Sequence, residues 1–268
     1  MNTIDNTHSN DKIRRFILRL EDTLVCALIE RAQFAHNHSL YIPGALDFNN
    51  MTGKRSFLEY FLWETEKMHA KARRYVTPGE YYPFTSPLPA PTVKLPPSLF
   101  EYPSFLWPND VNINDTIMDV YTESIVPTIC AQADGDDDDD NDDGQYANSA
   151  MRDIECLEAL SRRIHYAKFV AEMRFRGDSE TFARLARAYD RQAIADRVTD
   201  RSMEKKMLQR LGRKALVYGQ TLLEETGKRN RLPAAQQVVQ VYEQWVIPLS
   251  RKVEVDYLIT RGLAYCTE

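Results

Sequence analysis

The sequence predicts an all-α fold. Apolar residues recur at three- and four-residue steps in stretch after stretch, and no stretch alternates apolar and polar residues as a strand would. Nine of the 13 prolines fall between residues 77 and 108, which leaves the periodic stretches almost free of helix breakers.

The first helix is predicted over residues 11–35, where Ile13, Phe16, Ile17, Leu20, Leu24 and Leu28 form one apolar stripe. A second runs over 54–75 through Phe57, Tyr60, Phe61 and Met68 and stops before Pro78, whose ring disfavours helix at the preceding residue. Residues 77–111 cannot be helical. Tyr81, Tyr82, Phe84, Phe100, Tyr102, Phe105 and Trp107 are interleaved with the prolines there, which favours an ordered crossover packed along the body over a polyproline ligand for a partner domain. A third helix over 114–132 has Asp115 in its cap region. An acidic stretch, 133–147, then reads as a mobile loop held open by self-repulsion. Its Asp139, Asn141, Asp143 and Gly144 match the start of a calcium loop, but the twelfth position is Ala150, where a bidentate glutamate is needed.

One long helix is predicted over 149–176, two short ones over 179–188 and 191–197, and another over 200–219. A Gly- and Arg-containing loop leads to the last helix, which begins at Pro233, a residue suited to a first helical position. Pro248 falls inside that helix, so a kink is expected.

With 43% hydrophobic and 27% charged residues over 268 positions, the chain can bury a sizeable core. Without the eight carboxylates of Asp134, Asp136, Asp137, Asp138, Asp139, Asp140, Asp142 and Asp143, its net charge turns from −5 to +3. That mild basic excess suits a small anionic ligand better than nucleic acid, since the pairs Arg14-Arg15, Arg73-Arg74 and Arg162-Arg163 are scattered. Cys26, Cys130, Cys156 and Cys266 are far apart and indicate neither a zinc site nor a disulfide framework. His8, His36, His38 and His69 have no metal-ligand spacing, His165 reads as a packed or capping residue, and Trp63, Trp107 and Trp245 read as core. No run of apolar residues is long enough for a membrane span, and the first 16 residues lack a signal core, so a cytoplasmic location is expected.

Arg163 and Arg174 lie eleven residues apart on one predicted helix, about 1100° or three turns plus roughly 20°, so both point the same way. Asp200 and Glu204 are four apart, as are Ser250 and Glu254, so each pair shares a helix face. If Arg14 joins from the first helix, four helices supply one polar pocket.

The run RDIECLEALSRRIHYAKFVAEMRF from Arg152 strongly resembles the signature helix of the all-helical, AroQ-class fungal chorismate mutases. So do IRRFILRLEDTLVCALIERAQFA from Ile13, MEKKMLQRLGRKALVYG from Met203 and VIPLSRKVEVDYL from Val246, in the family's order and over nearly the whole chain. The resemblance implies a single elongated domain over 1–268, a homodimer, and the cofactor-free and metal-free rearrangement of chorismate to prephenate in phenylalanine and tyrosine synthesis.

It also implies roles. Arg14 and Arg163 would clamp the two substrate carboxylates, Glu204 would bind the ring hydroxyl, and Glu254, kept protonated, would donate to the ether oxygen. The family's lysine facing that oxygen is here Arg174, its asparagine is Asp200, and its threonine on the last helix is Ser250. Arg174 and Asp200 could pair across the pocket, leaving a rearranged working site. The alternative is a catalytically impaired interaction protein on the same scaffold. Arg73 and Arg74 match an arginine pair that helps bind tyrosine and tryptophan as effectors at the dimer interface. The facing loop, with Asn148 and Ser149 as its candidate effector contacts, reads Ala147-Asn148 where the family usually shows Gly-Ser, and the segment 231–233 lacks the family's threonine before proline. A cationic helix end is the other reading of Arg73 and Arg74.

Overall fold

A computed structural model describes residues 3–46, 53–75, 81–94, 105–130, 142–226 and 235–265. The described residues form helices and connecting turns, with no strand among them. The acidic residues 133–141, the start of the last helix at Pro233, and Cys266 lie outside the described residues.

α1 (Thr3–Arg31) starts earlier than the periodicity suggests and stops before residue 35, where the chain turns through Asn37 at a left-handed φ of 52°. A short 3-10 turn (His38–Leu40) follows. α2 (Phe57–Lys71) opens with a capping box, in which Ser56 accepts from the Glu59 backbone and Glu59 accepts from the Ser56 backbone, and it ends four residues before Tyr75. The described part of the proline-rich crossover packs on the body. The Glu66 carboxylate accepts from the amides of Phe84 and Thr85 at 2.8 Å each, and Asn114 donates to the carbonyls of Tyr82 and Pro83.

Two helices carry a proline past a turn of π-helix. The helix predicted over 114–132 is α3 (Asn114–Val120), a π turn (Tyr121–Ile125) and α4 (Val126–Cys130), with Pro127 just beyond the π turn. The final helix is likewise α10 (Ala235–Val241), a π turn (Tyr242–Val246) and α11 (Ile247–Ala264), with Pro248 in the first turn of α11. The shifted hydrogen-bond register absorbs the donor that proline lacks, so the chain runs on.

Between them, residues 149–176 are not one helix. α5 (Tyr146–His165) and α6 (Ala167–Gly177) meet at Tyr166, whose carbonyl accepts from Phe169 at 3.0 Å in a tightened turn. α7 (Ser179–Arg187) and α8 (Arg191–Val198) follow, each capped by an aspartate, Asp178 and Asp190. α9 (Arg201–Thr226) runs seven residues beyond Gly219.

Two apolar cores result. Leu24, Leu28, Leu62, Tyr121, Leu157, Leu160 and Val241 fill the first, and Phe175, Phe182, Ile194, Tyr257 and Leu258 the second. Gly262 lets α11 press against α7, where an added Cβ would stand 2.5 Å from that of Ala186. Trp107 and Trp245 pack at the rims of these cores, half-buried. Trp63 is not core: it is half-buried between the cations of Arg55 and Lys67, 4.5 and 4.1 Å from its ring. A fully buried ion pair, Arg31 with Asp153, ties α1 to α5, and the hydroxyls of Tyr41 and Tyr121 donate to the same carboxylate. His165 is a packed residue, its Nε2 accepting from the Ile113 amide at 3.0 Å. Asp143, at the end of the acidic stretch, is held: it accepts from Ala35 and from the Asn37 side chain, each at 2.9 Å. No described helix is long and apolar enough to cross a membrane.

Candidate active site

A cavity of about 420 Å³ opens where the two cores meet, lined from α1, α5, α6, α9 and α11. Arg14, Arg163, Arg174, Asp200, Glu204, Ser250 and Glu254 all line it, so the seven residues expected to share one pocket do so. The break at Tyr166 does not undo the phase argument for Arg163 and Arg174, because Tyr166 keeps a right-handed helical backbone at φ −62° and ψ −15°. Ile13, Ile17, Val170, Met173, Met203 and Met207 supply apolar wall, which lowers the local dielectric and strengthens every charge interaction inside.

The arginines of this cavity fall into two sets. Arg174, Arg210 and Arg251 are compensated, by Glu254 at 3.7 Å, Glu21 at 2.7 Å and Glu204 at 2.6 Å. Arg14, exposed at the mouth, and Arg163 have no carboxylate partner among the described residues. Arg163 is only 8% exposed, its Nε has no hydrogen-bond partner, and its Nη2 reaches just the Met207 sulfur at 3.7 Å. A desolvated guanidinium without a counter-charge is costly, and an anion entering the cavity relieves that cost.

Glu254 is the unusual acid. Burial pushes its pKa up to about 7, against the opposing pull of Arg174, Arg163 and Arg251. Its Oε2 is buried without a hydrogen-bond partner, as is the Ser250 Oγ one helical turn earlier. A carboxyl that holds its proton near neutrality can donate a hydrogen bond into the cavity.

The expected pairing of Arg174 with Asp200 does not form. Asp200 precedes α9 and accepts from the Met203 amide at 3.0 Å, which engages its carboxylate at the helix N-terminus. Arg174 turns to Glu254 and donates to the Arg197 carbonyl at 3.1 Å.

The four residues expected to bind effectors are not gathered within one protomer. Arg74 pairs with Glu158 at 2.6 Å under the Tyr81 ring, and Arg73, at a left-handed φ of 69°, donates to the Val93 carbonyl. Ser149 is fully buried and accepts from Asn37, while Asn148 donates to Gln145. Glu158 and Asn148 are about 15 Å apart along α5 by helical rise.

Sequence reasoning missed Met203, Lys206, Met207, Arg210 and Arg251 in the cavity wall. A signal was present for most of them: positions 200, 203, 207 and 210 fall on one helical stripe with Glu204, and Arg251 stands three residues before Glu254.

The profile of the family described as chorismate mutase type II matches residues 145–255. The chain is 42% identical over 251 residues to the chorismate mutase of Emericella nidulans, a match covering 93% of this chain and 91% of that protein. It superposes with a TM-score of 0.78 and 36% identity on the Aro7p chorismate mutase of Candida albicans in complex with L-Trp, over 93% of this chain and 90% of that one. AtCM1 with tyrosine bound in an allosteric site gives a TM-score of 0.80 at 33% identity, over 94% and 95% of the two chains.

Proposed function

This chain belongs to the chorismate mutase family and catalyses the family's reaction in aromatic amino acid biosynthesis, the rearrangement of chorismate to prephenate, and from that premise we propose that the cavity around Arg163 and Glu254 is its rearrangement site. The observation that carries the proposal is the buried Arg163 guanidinium, without an ion-pair partner among the described residues, in one cavity with an acid poised near neutrality.

Chorismate brings two carboxylates, a ring hydroxyl and an ether oxygen. Arg14 and Arg163, the two cavity arginines with no ion-pair partner among the described residues, take the carboxylates and hold the substrate compact, so that the bond-forming carbons stay in reach. Glu204 accepts from the ring hydroxyl. As the ether C–O bond breaks, negative charge gathers on its oxygen, and protonated Glu254 donates a hydrogen bond there while Arg174 adds its positive charge. The electrons move in one cyclic step, so no group on the protein forms a covalent bond. Asp200 and Ser250 complete the wall on the substrate side. No feature of the site or of the relatives favours a catalytically impaired interaction protein. Arg163→Met tests the site: kcat/KM falls about a thousandfold if Arg163 clamps a carboxylate, and an unchanged value contradicts it.

We further propose a cytoplasmic homodimer that responds to tryptophan and tyrosine, with Arg73 and Arg74 of one copy facing the exposed Asn148 of the other. Met68 and Met151, 67% and 56% exposed, are apolar surface suited to a second copy. Cys26 and Cys156 are free thiols, which suits a reducing compartment. Sedimentation checks the dimer. Calorimetry with each amino acid checks the effectors, saturable heat supporting this reading and none opposing it.

A further inference from the structure

Glu204 does not face the cavity alone. Its Oε1 accepts from the Nη2 of Arg251 at 2.6 Å, across from α11 to α9, while its Oε2 has no protein partner among the described residues. Both side chains line the cavity, and both also line a second, neighbouring cavity of about 580 Å³ beside Pro248. The ion pair is thus the partition between the two spaces, and it fixes one carboxylate oxygen while leaving the other for a ligand.

We propose that Arg251 is a positioning residue of the rearrangement site, holding Glu204 turned so that Oε2 accepts from the substrate's ring hydroxyl. This rests on the reading of Glu204 given above. A carboxylate left loose in a site that must receive a dianion has two reasons to leave: repulsion by the substrate and the freedom of its own rotamers. The guanidinium opposes both, through charge and through a charge-assisted hydrogen bond that sets direction. Its cation also offsets Glu204, so Arg14 and Arg163 stay available to the substrate.

The test is steady-state kinetics on the full chain with Arg251→Met, Arg251→Lys, Glu204→Gln and the Arg251→Met/Glu204→Gln double variant. Methionine keeps the apolar stem that walls the cavity and removes only the charge and donors. Arg251→Met raises KM about tenfold with kcat within about threefold and melting unchanged, because hydroxyl binding is common to ground and transition states. Arg251→Lys recovers most of the loss. The double variant is no worse than Glu204→Gln, since Arg251 acts through Glu204. Wild-type kinetics for Arg251→Met beside an impaired Glu204→Gln overturns the proposal, as do losses that multiply in the double variant. A Glu204→Gln enzyme that matches wild type instead overturns the reading of Glu204 on which it rests.

Discussion

Arg174 and Glu254 face each other across the cavity, Nε to Oε2 at 3.7 Å, too long for a hydrogen bond and close enough for strong charge interaction. The carboxyl therefore stays acidic enough to titrate in the neutral range, and both groups line the same cavity.

Activity should fall as pH rises. In the proposed mechanism the working form of Glu254 is the protonated one, and since burial raises its pKa to about 7 the active fraction is nearly full below that pH and drops about tenfold per pH unit well above it. A kcat/KM profile from about pH 5 to pH 9 checks this. Glu254→Gln, whose amide donates at every pH, should flatten the alkaline limb, and a flat wild-type profile would remove Glu254 from this role.

Arg174→Met should lower kcat about a hundredfold or more by removing positive charge at the breaking bond, while Arg174→Lys should stay within about tenfold of wild type. Because Arg174 loses its partner's pull on Glu254 in the Met variant, the alkaline limb should also move to higher pH. Steady-state profiles of the two variants test both statements.

Asp200 works as a cap. Asp200→Asn keeps an acceptor for the Met203 amide and should leave melting nearly unchanged, whereas Asp200→Ala should cost about 1 kcal/mol of stability. Since Arg174 is not paired with Asp200, the double reversion Arg174→Lys/Asp200→Asn should show the product of the single effects. A strong departure from that product would point to coupling the structure does not contain.

Arg163→Met should trade function for stability. It removes a buried guanidinium with no carboxylate within ion-pair distance among the described residues, so melting should rise by roughly 2–4 °C, equivalent to about 1 kcal/mol, while kcat/KM collapses. The buried Arg31–Asp153 pair behaves oppositely: Asp153→Ala strands a buried cation and should cost about 3–5 kcal/mol, read by denaturant unfolding.

The fold and the pocket were legible in the sequence to the extent that helical phase carries them. Arg163 and Arg174, and the i,i+4 pairs on α9 and α11, needed only periodicity to be placed on common faces. Phase says nothing of partners, however. Asp200 was legible as a pocket acid but its hydrogen bond to Met203 was not, because the cap depends on where α9 begins within one residue. Trp63 looked like core because its apolar area is visible in sequence and the two cations flanking it are not. The π turns before Pro127 and Pro248 were hidden for a similar reason: Pro248 signalled a disturbed helix and Pro127 was passed over, and the register shift that carries the chain past them has no periodic signature. Arg251 was passed over because its role comes from Glu204 on another helix.

The most direct test follows chorismate absorbance with the wild-type chain and Arg163→Met side by side. Wild-type conversion far above the spontaneous rate, with the folded variant reduced about a thousandfold in kcat/KM, is the predicted result. A folded variant as fast as wild type, or a wild-type chain no faster than the spontaneous reaction, would contradict the assignment of this cavity.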